Sequence, residues 1–215
     1  MMKNDKSKLI ISSAVILMPA LYGVLMWDKL PARIPTHFDV NGNVDATSSK
    51  AFTVFFIPVF LLLLHLFCIY ATKNDPKQKS ISEKIFSLLY AICPSISILC
   101  YVLIYSYAFG VKVPVNVWAS FFTGGLFIVV GNYLPKCRLN YTVGIKIPWT
   151  LASIENWNNT HRFAGRVWVA GGLFILASGI GNNIFIMLAS ALITAFLPII
   201  YSFMYFRKYE QGEQQ

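Results

Sequence analysis

The chain has 215 residues, 56% of them hydrophobic and 13% charged, with a mean hydropathy of +0.59. A soluble domain carries about a quarter charged residues, so the composition excludes an ordinary soluble globular domain and points to an integral membrane protein. The formal charge of +9 is spread between apolar runs rather than gathered on one basic face. It therefore reads as membrane topology rather than direct nucleic-acid binding.

A short basic head, MMKNDKSK, precedes a first apolar run, Leu9–Trp27. The run is long for a signal-peptide core, lacks a small-x-small cleavage site and is followed by further spans, so it is expected to be an uncleaved transmembrane helix. Five more runs are long enough to cross about 30 Å of hydrocarbon at about 1.5 Å per residue. They are Ala51–Thr72, Ile85–Phe109, Val115–Asn132, Val167–Gly181 and Ile184–Phe206. Only Gly181, Asn182 and Asn183 separate the last two, which predicts a tight helical hairpin. The expected fold is an all-α integral membrane protein of six transmembrane helices, with a small external loop module and a structured cytoplasmic loop between helices 4 and 5.

The loops between spans fix the expected orientation. The N-terminus, the 73–84 loop, the 132–166 loop and the tail together hold 14 Lys and Arg, against 4 in the loops on the other side. That asymmetry predicts a multi-pass protein of the cell membrane with both termini and the 132–166 loop in the cytoplasm.

The first external loop, residues 28–50, has Pro31 and Pro35, which oppose helix, and Asn41-Gly42, a strong turn signal between short alternating segments. A small β-hairpin is expected there. His37, Asp39 and Asp45 match no zinc-ligand spacing, so hydrogen bonding within the hairpin is their reading and no metal is expected. Cys68, Cys93, Cys100 and Cys137 form no CxxC pair and read as buried small hydrophobes.

His65, in LLLLHLF, is the ionisable residue within the expected spans. It is either a functional group, the default for a histidine in a membrane, or hydrogen-bonded to neighbouring backbone. Tyr90, Ser95, Ser97, Tyr101, Tyr105 and Ser106 make the third helix the most polar, so it should face other helices rather than lipid. Pro19, Pro58, Pro94 and Pro198 fall inside four spans, where proline is generally tolerated. Gly124, Gly125, Gly171, Gly172 and Gly179 suit close helix packing.

The longest interruption runs from Gly131 to Trp168, with five Lys and Arg against one acid, Glu155. Pro135 should end the fourth helix, and NYTVGIKIP alternates as a strand does, with a turn at Gly144 and a stop at Pro148. Thr150 is expected to cap a helix from Leu151 to Phe163, lying in the membrane interface with Leu151, Ile154, Trp157 and His161 on its apolar face. Gly144, Pro148 and Trp149 fix backbone and position, while Asn156, Thr160, His161 and Arg162 suit a directed polar network. The loop is expected to be a folded functional element rather than a plain anchor.

The string LPKCRLNYTVGIKIPWTLASIENWNNTHRFAGRVWVAGG resembles the signature of the bacterial Sdp immunity protein family. The external loop LPARIPTHFDVNGNVDATSSKAF, followed by FFIP, resembles the N-terminal module commonly joined to it. The resemblance implies two modules, 1–84 (helices 1–2 with loop 28–50) and 85–210 (helices 3–6 with loop 132–166). It implies a Gram-positive multipass protein that protects its producer from a secreted, membrane-active killing peptide. Some members of the family also hold a small winged-helix autorepressor at the membrane. The expected partners are the toxin peptide, such a repressor and membrane lipids, with no direct contact to nucleic acid and no cofactor. The expected functional residues are Asn140, Gly144, Pro148, Trp149, Thr150, Trp157, Thr160, His161 and Arg162 in the cytoplasmic loop. In the external loop they are Pro35, His37, Asn41, Gly42 and Asp45.

No catalytic set is expected, because His37 and His161 fall on opposite sides of the membrane and His65 alone cannot hold a catalytic metal. The alternative class is a small transporter or exporter of a peptide or lipid. Its support is the proline-bearing helices and His65; against it, the two halves show no self-similarity of the kind many transporters carry.

Overall fold

A computed structural model of the chain describes residues 3–210, so Met1 and Met2 of the basic head lie outside the described residues. Helices dominate because runs of apolar side chains leave the backbone as the main polar group, and only a helix satisfies it within one segment. Six helices are long and apolar enough to span a membrane: Asp5–Leu25, Phe52–Lys73, Glu83–Ala108, Val115–Lys136, Ile154–Ile180 and Ile184–Tyr209. The expectation of a six-span helical membrane protein is borne out.

The chain divides into two compact units, Met1–Ala71 with Phe86–Val115, and Thr72–Ile85 with Asn116–Gln215. The first unit holds α1 (Lys3–Leu25), strands β1 (Arg33–Phe38) and β2 (Val44–Ser49), α2 (Ile57–Lys73) and α3 (Glu83–Ala108). By packing, α3 therefore groups with the first two helices, although the module boundary read from the sequence falls at 84/85. Its hydroxyls show why. Ser97 donates to the carbonyl of Ile16 at 3.2 Å, Tyr105 to that of Pro19 at 2.8 Å and Tyr101 to that of Thr53 at 2.5 Å. Thr53 lies in a π-helical turn, Phe52–Phe56, that leads into α2; such turns misalign the helical ladder and expose a carbonyl that the tyrosine takes up. Leu30, Ile34, Val54 and Ile104 pack around these tyrosines. As expected, Tyr90, Ser97, Tyr101 and Tyr105 are buried, whereas Ser95 is exposed and bonds its own helix at the Ala91 carbonyl. His65 is fully buried and shares a 2.8 Å hydrogen bond between Nε2 and the Ser12 hydroxyl.

The predicted hairpin is present. β1 and β2 pair antiparallel, with irregular register around His37. Gly42 takes φ 80° in the connecting turn. Lys50 ties off the base, donating to the carbonyls of Trp27 and Leu30 at 2.8 and 3.3 Å.

The second unit contains α4 (Val115–Tyr133), α5 (Pro148–Ala152), α6 (Ile154–Ile180) and α7 (Ile184–Tyr205). α6 and α7 form the predicted tight hairpin, in which the Asn183 side chain accepts the N–H of Ile186 at 3.2 Å and starts α7. α4 and α6 meet backbone to backbone. A Cβ on Gly124 would lie 2.7 Å from the Gly172 carbonyl oxygen, and one on Gly165 would lie 2.8 Å from that of Gly131.

Two expectations are corrected here. The fifth span is not confined to 167–181, and no separate interfacial helix covers 151–163; one 27-residue helix runs from Ile154 to Ile180. The break falls earlier, at Ser153, whose extended backbone (φ −134°, ψ 123°) ends α5 and caps α6. The 140–148 stretch forms no strand, because Gly144 at φ 119° interrupts the extended backbone that alternation requires.

Candidate functional site

The segment between α4 and α6 is a folded body built on side-chain-to-backbone bonds. It begins with a tight turn, Leu134–Lys136, after which burial of Cys137 and Leu139 pins the chain against the helices. Asn140, fully buried, then organises the next turn. Its carbonyl oxygen accepts the N–H groups of Thr142 and Val143 at 3.0 and 2.6 Å. Its amide donates to the carbonyls of Arg138 and Val143 at 2.8 and 2.9 Å. An amide side chain has two donors and one accepting oxygen, so Asn140 is fully used by its own loop.

Gly144 brings the backbone directly over His161, where a Cβ would lie 2.5 Å from the imidazole Nε2. The next residue, Ile145, donates its N–H to that Nε2 at 3.0 Å, while Nδ1 faces the Trp157 carbonyl at 2.8 Å. A backbone N–H only donates and a carbonyl only accepts, so the partners define the tautomer: Nδ1 carries the proton and Nε2 the lone pair. The Trp157 ring stacks on His161 with centroids 4.0 Å apart and donates from Nε1 to the Cys137 carbonyl at 2.7 Å.

Contrary to the expectation from the sequence, Thr150 does not cap α6; it sits inside α5. Its hydroxyl accepts the N–H of Ile147 at 3.1 Å and donates to the Ile145 carbonyl at 2.7 Å. Pro148 opens α5, and Trp149 packs against Phe203 of α7 at 5.0 Å. Asn156 and Thr160 form a separate network with Ser202: Thr160 and Ser202 donate to the Asn156 oxygen at 3.0 and 2.7 Å, and the Asn156 amide donates to the Ser202 carbonyl at 3.2 Å. Arg162 is outside both networks and exposed. The structure thus assembles Asn140, Gly144, Thr150, Trp157 and His161 into one body, attaches Thr160 and Trp149 through α7, and leaves Arg162 apart. The expected apolar face also fails in part, since Ile154 is exposed while Trp157 and His161 are buried in protein.

Three contributors were not singled out from the sequence. Asp75, from the α2–α3 connection, accepts the Tyr141 N–H and the Thr142 hydroxyl on one oxygen, each at 2.8 Å, and the Lys77 N–H on the other at 2.7 Å. Partial burial works to raise its carboxyl, but the Lys77 N–H, the Thr142 hydroxyl and the Tyr141 N–H outweigh it and hold the group below the usual carboxylate range. Asp75-Pro76 is a turn signal, yet nothing local points to a partner 67 positions away. Ser202 is hidden in an apolar run. Cys137 is more than filler: its thiol reaches the Val143 carbonyl at 3.3 Å, and burial pushes that thiol up to about 11, against a smaller opposite pull from Asn140.

The hairpin residues come together in the first unit. His37 Nδ1 and Asp45 share a 2.6 Å hydrogen bond across the strands, both exposed, and Pro35 of β1 stands opposite Thr47 of β2. Asp39 closes the turn by accepting the N–H groups of Asn41 and Asn43, each at 2.8 Å. The Asn43 N–H foremost, with that of Asn41 and against slight desolvation, holds its carboxyl low. Among the described residues no three His, Cys, Asp or Glu side chains are grouped to hold a metal.

Six spans, a capped hairpin after the first helix and a folded basic loop before the fifth define a multi-pass membrane protein with two built inter-helix elements. Residues 136–202, covering that loop and the helices that follow it, match the SdpI/YfhL protein family, and residues 14–62, covering the hairpin, match a domain of unknown function, DUF1648. The chain is 28% identical over 208 residues to the immunity protein SdpI of Bacillus subtilis (strain 168), across 94% of this chain and 97% of that protein. The resemblance to the Sdp immunity family read from the sequence is borne out. No solved structure matches the chain.

Proposed function

We propose that this protein is a membrane immunity protein that protects its cell against a secreted, membrane-active killing peptide, without catalysis. The observation that carries this reading is the end-to-end similarity to a protein named for immunity, together with the build of the 137–153 loop, whose buried polar side chains, Asn140 and Thr150, are consumed in holding a shape. A site whose histidine has both nitrogens bonded to backbone suits recognition rather than acid–base chemistry, which needs a ring nitrogen free to take or give a proton.

In this reading both termini and the basic loop are cytoplasmic and the hairpin is external. Asp75 supports the pairing of sides, since it bonds the 73–84 connection to the 134–153 loop, and the lysine and arginine count assigns both to the same face. The hairpin then meets the peptide, and the cytoplasmic loop offers a rigid surface to a soluble partner such as a small winged-helix autorepressor.

The test is survival of a toxin-sensitive bacterium expressing the chain and challenged with the killing peptide of the family. Protection that is lost in Asn140→Ala, with the variant still present in the membrane, supports immunity exercised through the loop. Unchanged killing of cells that carry the wild-type chain in their membrane overturns the proposal.

A further inference from the structure

α6 is longer than its uncharged part. The stretch Val167–Ile180 is 14 residues without a charge, about 21 Å of helix against a hydrocarbon thickness of about 30 Å. Filling the membrane therefore draws in roughly the six preceding residues, which include Arg162 and Arg166. These two are four apart and so are neighbours on one helix face. Both are exposed, and the Arg166 Nε lies 3.5 Å from the Arg162 carbonyl. Among the described residues no carboxylate pairs with either arginine. The acid of the same loop, Glu155, is taken by the Tyr205 hydroxyl at 2.6 Å.

Two uncompensated guanidinium groups at the edge of the hydrocarbon must reach up to the headgroup layer. The planar fork of arginine matches the oxygens of a phosphate bidentately, which an ammonium group cannot do. We infer that Arg162 and Arg166 form a binding site for the phosphate of an anionic phospholipid. Their depth selects a lipid over phosphate free in solution. Their double charge selects an anionic lipid over a zwitterionic one, whose own cation would be held beside two others. Lys136, Arg138 and Lys146, all exposed on the adjoining loop, add to the field without joining the site. The site lies on a helix that also carries Trp157 and His161, so lipid binding would steady the base of the folded loop.

The experiment is native mass spectrometry of the full chain released from detergent, titrated with phosphatidylglycerol or phosphatidylcholine. The wild type should prefer phosphatidylglycerol by about tenfold or more, each basic contact contributing several-fold. Arg162→Gln/Arg166→Gln should reduce the preference to near one while keeping the wild-type melting temperature in phosphatidylcholine micelles. Arg166→Lys should fall between, retaining charge without the fork, and Lys79→Gln, on the α2–α3 connection, should behave as wild type. Equal binding of the two lipids by the wild type, or an undiminished preference in the double glutamine variant, overturns the inference. Displacement of the lipid by millimolar inorganic phosphate would make this a free-anion site, and displacement by oligo-glutamate would make it a surface for an acidic protein; either outcome also overturns it.

Discussion

The N–H of Ile145 points at Nε2 of His161, 3.0 Å away, across a gap that Gly144 keeps clear of any side chain. This bond joins the loop to the first turns of α6, together with the stacked indole beneath it, whose Nε1 donates to the Cys137 carbonyl. His161→Ala strands the Ile145 N–H and opens a cavity under Trp157, so we expect a loss of about 2–4 kcal/mol. It should appear as a melting temperature several degrees lower in detergent. Because its lone pair is already occupied, chelators should leave wild-type stability unchanged.

Gly144→Ala puts a methyl group against that imidazole and also strains a backbone at φ 119°. In wild type both costs apply; in a His161→Ala background the clash with the imidazole is gone, leaving the strain, about 1–3 kcal/mol, and the approach of the new Cβ to the Trp157 ring at 3.1 Å. A double-mutant cycle on thermal stability should therefore show coupling between the two positions. Simple additivity would mean the two do not meet.

Asp75 gives a pH signature. Its folded-state carboxyl is held below the unfolded value of about 3.9, so its contribution is fully present above that value and is lost as pH falls through the folded one. Hydrogen exchange at Tyr141 and Thr142 should accelerate as pH drops below about 4, beyond the intrinsic trend. Asp75→Ala should show the fast exchange at neutral pH, with a loss of about 1–3 kcal/mol.

Cys137 should resist alkylation. A thiol raised to about 11 is almost wholly protonated at pH 8, and the thiolate is the reactive form. Iodoacetamide should leave Cys137 unlabelled in the folded protein and label it at the ordinary rate once denatured. Raising the pH above about 8.5 should erode the stability it contributes, since the unfolded thiol ionises first.

These relationships differ in how far they can be read without coordinates. The spans announce themselves because about 20 consecutive apolar residues are needed to cross a bilayer, and Asn41-Gly42 announces the hairpin turn because few residue pairs accept its backbone angles. The loop hides its logic. The alternation around Val143 and Ile145 is that of a strand until Gly144 turns the chain, and Leu151 and Ile154 share a face with Trp157 only if no break falls at Ser153. The bonds that hold the loop, Asp75 to Thr142 and Asn156 to Ser202, join residues 67 and 46 positions apart. Separations of that size leave no local pattern to find.

The packing of α4 against α6 offers a matched pair of substitutions. Gly172→Val should drive the helices apart, because even a Cβ would meet the Gly124 carbonyl and Ile128 at 2.7 Å. Gly125→Ala, where nothing lies within 4 Å, should be neutral. Detergent-resistant monodispersity after heating, followed by fluorescence size exclusion, distinguishes them; equal behaviour would refute the close contact.

Gly165, Gly172 and Gly179 stand seven residues apart along α6 and each faces α4. Seven residues make nearly two full turns, so the three lie in one seam only while the count between them is kept. Inserting a single residue there would swing everything beyond it through about 100° and turn the seam away from its neighbour. Related sequences should therefore vary in length before Leu134 or around Asn182, while the interval from Gly165 to Gly179 admits neither gain nor loss of a residue.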